Sequence, residues 1–275
     1  MSVSSGKPGQ ILVGTSGYGY VEWLGPVYPE GTKKEEFLAR YASMFPTVEL
    51  NFSYYKMPTV QLCERFLEQA GPSFLFSIKA NEALTHKIAQ DGWKDAARAF
   101  LEAIEPLRKA GRLGAVLFQF PPSFRYEVDR RRYLDALLAE FSDFPVAVEF
   151  RNHEWYNNRV IDAFRSRRVA IASLDIPALE GLPPVMDVVT APLAYIRLHG
   201  RNEANWWGSD SASRYDYLYS DAELEAWAER VGAIAGRADR VLVYFNNHLR
   251  GQSARNARSL EAILARAGGG AVSSA

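Results

Sequence analysis

The chain has 275 residues, 48% of them apolar, and its 32 lysines and arginines balance its 32 aspartates and glutamates. That balance excludes a general electrostatic pull toward nucleic acid or an anionic membrane, so any affinity for anions must be local. A single cysteine, Cys63, excludes disulfides within the chain and cysteine-based zinc sites.

Residues 1–10 are rich in Ser, Gly and Pro and are expected to be a disordered tail, not a secretory signal. Residues 11–16 form the first expected strand. An aromatic loop follows, with Tyr18, Tyr20, Trp23 and Tyr28. Thr32 with Glu35 three residues on predicts a capping box and a helix start. Residues 47–51 are the second strand and 59–70 its helix, with Cys63 as a core residue; Gly71-Pro72 ends that helix. Residues 74–79 are the third strand, with Phe74, Phe76 and Ile78 alternating. Asp91 is the expected cap of a helix over 92–109, and Gly111 its stop. The fourth strand, 115–120, runs into Pro121-Pro122, and a helix over 129–141 follows. The fifth strand covers 146–150, with 160–167 in the next helix. The sixth covers 169–174 and leads into a loop-like stretch, 177–192, with room for only a short helix. The seventh covers 193–198. After a polar-aromatic loop, 201–220, Asp221 is expected to cap a helix to residue 235. Residues 241–245 are the eighth strand and 253–265 the closing helix. Residues 268–275, rich in Gly, Ser and Ala, are again expected to be disordered.

Strand and helix alternate eight times with no linker between them. This pattern predicts parallel pairing through right-handed crossovers. No glycine-rich phosphate fingerprint follows the first strand, as a dinucleotide-binding open sheet would require. The expected fold is therefore α/β: a single (β/α)8 TIM barrel over residues 11–267. No apolar run reaches the roughly 18 residues of a membrane span, and a cytoplasmic location is expected.

The strand ends carry the chemistry. They read Gly14-Thr15-Ser16, Glu49-Leu50-Asn51, Lys79-Ala80-Asn81, Gln119, Glu149-Phe150-Arg151, Asp175, Arg197-Leu198-His199 and Asn246-Asn247-His248. In a barrel of this type the carboxyl ends of the strands form the mouth of the active site. Side chains alternate along a strand, so Glu49 pairs with Asn51, Glu149 with Arg151 and Arg197 with His199 on common faces. If these faces point into the mouth, Glu49, Lys79, Glu149, Arg151, Asp175 and Arg197 converge there. Three charges of each sign make mutual pairing feasible, and burial would demand it. One reading is an ion-pair network that pins the barrel top. The other is a pocket for a small polar or anionic molecule. In that pocket Arg151 and Arg197 would grip a carboxylate or phosphate, and Glu149, or second Glu49, would be the general base. Lys79 would stabilise an oxyanion or form a Schiff base. Asn51, Gln119, Asn246 and Asn247 would bind substrate hydroxyls, with Tyr18, Asp175 and His199 as further contacts.

Glu49, Glu149, Asp175 and His199 would also make an oxygen-rich set for magnesium or manganese. Lys79, Arg151 and Arg197 in the same layer oppose a divalent cation, so no cofactor is expected, with a divalent metal kept as the alternative. His86, His153 and His248 follow strand ends and are candidates for the rim. Tyr54, Tyr55, Trp155, Trp206 and Trp207 join the first-loop aromatics as a cap, some of them available for stacking. Arg125, Arg130, Arg131 and Arg132 read as a solvated helix face, not a nucleic-acid track.

Taken together, these segments resemble the YecE-like family, also called domain of unknown function 72. Those that carry the likeness are Gly14-Thr15-Ser16-Gly17-Tyr18 with Trp23 and Tyr28-Pro29; Val48-Glu49-Leu50-Asn51 with Tyr54-Tyr55; Lys79 with Thr85-His86; and Leu117-Phe118-Gln119-Phe120-Pro121-Pro122. Val148-Glu149-Phe150-Arg151 with Trp155, Asp175, Arg197-Leu198-His199-Gly200 and Tyr244-Phe245-Asn246-Asn247 complete the set. The resemblance covers residues 11–265 and implies a TIM barrel with its site at the strand ends. It supplies no reaction, and its relation to sugar-isomerase-like barrels is one of fold. The chain departs from the pattern at Phe52, where a small residue is expected, and at Asn152, where a histidine is expected. The expected function is an enzyme of isomerase, epimerase or lyase type on a small polyhydroxylated or phosphorylated substrate. The alternatives are a metal-dependent nucleic-acid-processing barrel and a non-catalytic ligand-binding protein.

Overall fold

The computed structural model describes residues 8–89, 91–208 and 210–268. The disordered tails expected at the ends fall on 1–7 and 269–275, outside the described residues. Gly9 and Gln10, counted in the first tail, are instead tied into the fold. The Gly9 amide donates to the Ala235 carbonyl, and Gln10 pairs with Arg240.

The strands are β1 (Gln10–Ser16), β2 (Thr47–Leu50), β3 (Leu75–Lys79), β4 (Leu113–Phe120), β5 (Val146–Phe150), β6 (Ala170–Ile171), β7 (Ser173–Asp175), β8 (Leu193–Leu198) and β9 (Arg240–Phe245). All pair in parallel, in the order β6-β5-β4-β3-β2-β1-β9-β8-β7. β6 and β7 are two halves of the sixth strand, parted at Ala172. The first half pairs with β5 (Val148 with Ile171) and the second with β8 (Asp175 with Leu198). The Ala172 amide still donates to Val148 O at 2.9 Å, so one strand changes partners midway and closes the ring. The result is a barrel of eight parallel strands, as the alternating pattern predicted.

The helices are α1 (Phe37–Ala42), α2 (Phe52–Tyr55), α3 (Val60–Gln69), α4 (Trp93–Lys109), α5 (Val128–Glu140), α6 (Asn158–Arg167), α7 (Ser211–Arg214), α8 (Asp221–Ala235) and α9 (Gln252–Gly268). Residues 176–192 after the sixth strand contain no helix. Four prolines interrupt that stretch, and Thr190 secures it by bonding both Ile171 N (3.0 Å) and Val169 O (2.6 Å). Three helix starts differ from expectation. Before α1 a short 3-10 turn intervenes, capped by Lys33 and Glu36, while Thr32 bonds Pro29 O. Gly92, not Asp91, precedes α4. Ser220, in a capping box with Glu223, caps α8 in place of the expected Asp221, which is the first helical residue.

Alternation along the strands separates two apolar layers. Outward, Val13, Val48, Phe76, Phe118, Val148 and Val243 meet Phe66, Phe100, Leu137, Phe164, Val231 and Leu260 of the helices. Inward, Leu12, Leu75, Ala115, Leu117, Ala147, Ala170 and Leu242 fill the barrel floor. Gly14 lets β1 approach β2: a Cβ there would lie 2.2 Å from the Thr47 carbonyl oxygen. Above the floor the Tyr244 hydroxyl bonds Thr47 Oγ1 (2.6 Å) and Ser77 Oγ (2.9 Å). From that level to the carboxyl ends, the inward positions turn polar. Cys63 is fully buried in α3, and burial pushes its thiol up to about 11.

Candidate active site

Glu49, Glu149, Arg151, Arg197 and His199 meet inside the barrel top as one buried network. Arg197 donates from Nε to Glu49 Oε2 (2.8 Å) and from Nη2 to Glu49 Oε1 (2.7 Å), a bidentate pair. Its third nitrogen, Nη1, donates to Glu149 Oε2. The other Glu149 oxygen accepts from Arg151 Nε. Tyr195 adds a hydroxyl to Glu49 Oε2 at 2.8 Å. Both carboxylates are fully buried, and every one of their oxygens is occupied by a donor.

The charges follow from this pairing. Burial alone would raise the Glu149 carboxyl, but Arg151 and Arg197 outweigh it and hold the group well below the usual carboxylate range. His199 is driven the other way: burial, then the Arg151 charge, lowers its imidazole to about 3 and keeps it neutral. Arg151 Nη2 lies 3.2 Å from His199 Nε2. Nδ1 in turn lies 3.0 Å from the Asn246 side-chain amide. Two carboxylates and two guanidiniums balance in this layer.

Lys79, at the end of β3, stands outside that balance. Its ammonium donates to Gln119 Oε1 (2.8 Å) and lies 4.4 Å from the Tyr54 ring centroid. Burial, then the charges of Arg197 and Arg151, outweigh the two glutamates and lower it to about 7. Lys79 faces a cavity of about 810 Å³ over the barrel mouth. Tyr18, Asn51, Gln119, Arg151, Arg197 and Asn246 also line it, as expected of them. Glu49, Glu149 and His199 lie beneath its surface and do not line it. None of the described lining residues is Asp or Glu; Lys34 and Lys79 carry charge beyond the balanced layer, while Arg151 and Arg197 are offset by the two glutamates beneath.

Two expected site residues are elsewhere. Asp175 was expected to join the converging charges, but it faces the helices: its carboxylate accepts from Arg201 Nε and Trp227 Nε1, both at 2.8 Å. Leu174, not Asp175, occupies the inward register of that strand. Asn247 was expected at the substrate, but it too points outward, donating to Tyr217 O (2.7 Å) and Asn256 Oδ1 (2.9 Å). Glu49, Glu149, Asp175 and His199 consequently do not form a metal set. Asp175 is turned away and the glutamate oxygens are held by arginines. Among the described residues no other group of three or more His, Cys, Asp or Glu could hold an ion.

Of the rim histidines, His86 and His248 line the cavity and His153 does not. Burial, then the Lys79 charge, lowers His86 to about 4; it packs edge-on against Tyr54 at 4.9 Å. His248 stacks on Tyr20 with rings 4.6 Å apart. Asn152 caps the turn that starts at His153 and bonds Pro122 O, a structural role. Tyr54, Tyr20 and Tyr215 also line the cavity and were assigned to the aromatic cap or left unassigned. Tyr20 and Tyr54 each lie four residues past a strand end, and that spacing was the available signal; Tyr215, far along its loop, carried none.

The model of the family described as "Protein of unknown function DUF72" matches residues 12–274. The chain belongs to the DUF72 family. The sequence resemblance to the YecE-like proteins is thereby borne out. The UPF0759 protein YunF of Bacillus subtilis (strain 168) is 29% identical over 92% of this chain and 94% of its own length. The crystal structure of a DUF72 family protein from Thermotoga maritima MSB8 superposes with a TM-score of 0.86 at 36% identity, covering 93% of this chain and 99% of that one. A second DUF72 structure, from Enterococcus faecalis V583, gives 0.82 at 27% identity over 92% and 95% of the two chains. These DUF72 relatives share the barrel along nearly its whole length, and the family description carries no reaction. No helix among the described residues is long and apolar enough to cross a membrane.

Proposed function

We propose that this DUF72 protein is an enzyme of lyase or isomerase type that acts on a small anionic carbonyl compound through Lys79. The observation that carries the reading is the division of labour at the strand ends. The carboxylates are buried and fully paired with Arg151 and Arg197, while Lys79 faces the cavity. This arrangement argues against Glu149 or Glu49 as the general base, because neither carboxylate has a free oxygen at the cavity. It favours the Schiff-base alternative for Lys79, an amine whose proton is made labile by burial and neighbouring cations.

In this mechanism the neutral amine of Lys79 adds to the substrate carbonyl carbon, forming a C–N bond and a carbinolamine. The carbinolamine hydroxyl takes a proton and leaves as water, giving an iminium. The cationic nitrogen then draws the electron pair of an adjacent C–H or C–C bond, and the released proton passes to water in the cavity. The enamine so formed takes a proton back on carbon, and water then hydrolyses the iminium and restores Lys79. Arg151 and Lys34 would hold the substrate's carboxylate or phosphate, with Asn51, Gln119 and Asn246 on its hydroxyls. Sugar phosphates and short oxo acids are the first compounds to offer.

The test is reduction with cyanoborohydride in the presence of such compounds, followed by peptide mass spectrometry. A reduced adduct on the Lys79 peptide, absent from Lys79→Arg, is the expected result. Tight binding of the same anions with no adduct and no turnover would move the protein to the non-catalytic ligand-binding class. Binding of oligonucleotides that requires a divalent cation would favour the nucleic-acid alternative.

A further inference from the structure

The cavity has two chemically distinct halves. One is the polar floor of Lys79, Gln119, Arg151, Arg197 and Asn246. The other is lined by Phe37 of α1, Leu50 at the end of β2, Phe52 of α2, and Leu62 and Phe66 of α3. These five side chains are wholly hydrocarbon. Phe37, Leu50 and Phe66 belong to the packed core, whereas Phe52 and Leu62 are only half-buried. Phe52 meets Phe66 edge-on at 5.7 Å, and Phe66 is backed by Phe76, so this wall is anchored in the barrel. Exposed Lys34 also lines the cavity. The whole space, about 810 Å³, lies near the upper end of the roughly 300–1,000 Å³ typical of pockets for drug-sized ligands. A three- to six-carbon sugar phosphate would leave the hydrocarbon wall wet.

We propose that the natural substrate is amphiphilic: an anionic carbonyl head at Lys79 and Arg151 joined to an alkyl or aryl body that lies against Phe52 and Leu62, which Phe37, Leu50 and Phe66 back from the core. This inference rests on the reading of Lys79 and Arg151 as the head-group site and extends it to the substrate class. Continuity of the apolar arm with the cationic floor is the argument. One molecule reaching both would remove exposed carbon surface from water and meet positive charge at its other end.

The experiment measures dissociation constants of the full chain for a series of 2-oxo acids: 2-oxobutanoate, 2-oxohexanoate, 2-oxooctanoate and 4-phenyl-2-oxobutanoate. Hexanoate and octanoate, which have no ketone, run in parallel. Each methylene that enters the arm should tighten binding about fourfold, until the arm is filled. Leu62→Glu, on a half-buried helix position, should abolish that gain. Phe52→Ala, checked for an unchanged circular dichroism spectrum, should reduce the gain. A dissociation constant that does not change along the series, or a gain retained in Leu62→Glu, would overturn the proposal. The fatty acids separate the two ideas. Chain-length dependence without any reducible adduct keeps the apolar arm and removes the imine. An adduct with 2-oxobutanoate and a flat series does the reverse.

Discussion

Arg197 and Glu49 face each other across the barrel, one on β8 and the other on β2, joined by two parallel hydrogen bonds of 2.7 and 2.8 Å. The remaining guanidinium nitrogen reaches Glu149 on β5, so one side chain ties three strands together above the apolar floor. This relationship explains why glutamates at strand ends, the natural first choice for a base, are structural anchors in the reading favoured here.

Removing one member of the network leaves a buried charge uncompensated. Glu49→Gln should therefore destabilise the fold by about 3–5 kcal/mol, and Glu149→Gln by a similar amount. Urea unfolding monitored by circular dichroism measures both. A loss below about 1 kcal/mol in either variant would mean that the carboxylate is not held as described.

The rate of imine formation should rise with pH through about 7, where Lys79 loses its proton. A matching effect on stability has a definite sign. The folded-state value lies below the ordinary lysine value of 10.5, so between about 7 and 10.5 the unfolded chain holds a proton that the folded chain lacks. Lys79 therefore penalises folding fully below pH 7, and the penalty fades as pH rises toward 10.5. Lys79→Met should be more stable than the parent at pH 6, with the difference shrinking by pH 10. Thermal unfolding of the two proteins at pH 6, 8 and 10 measures this; a difference that grows with pH would contradict the assignment.

Asp175 is a structural residue in this geometry. Asp175→Ala removes the acceptor of Arg201 and of the Trp227 indole and should cost about 1–3 kcal/mol of stability. Binding of 2-oxobutanoate to the folded variant should match the parent in a fluorescence titration. A selective loss of binding with stability intact would return Asp175 to the site.

Gly200 follows His199 with φ +88°, and a Cβ there would lie 2.5 Å from Tyr217 Cβ. Gly200→Ala combines a left-handed backbone with a clash and should destabilise by at least about 2 kcal/mol. Calorimetry of the variant checks it. A change smaller than about 0.5 kcal/mol would show that this turn can relax.

Local chemistry along the chain carried most of the architecture. β-branched and aromatic runs with proline and glycine stops specify strands, and the eightfold alternation with helices specifies a parallel barrel, because short crossovers permit few other topologies. Polar strand ends identified the mouth, and the two-residue period put Glu49 with Asn51, Glu149 with Arg151 and Arg197 with His199 on common faces, leaving to the fold whether those faces point inward. Which face of the sixth strand points inward was not decided locally. β6 and β7 are short and change partners at Ala172, and both Leu174 and Asp175 are compatible with either side until the neighbouring strands set the register. The same holds for Asn246 and Asn247, adjacent residues of which only one can face the cavity. The pairing of charges lay further still from the sequence. Whether a glutamate is a free base or the anchor of an arginine depends on distances between side chains 48 and 148 residues apart along the chain. Only the closed ring, by bringing β2, β5 and β8 within reach of Arg197, buried both carboxylates and left Lys79 at the surface of the cavity.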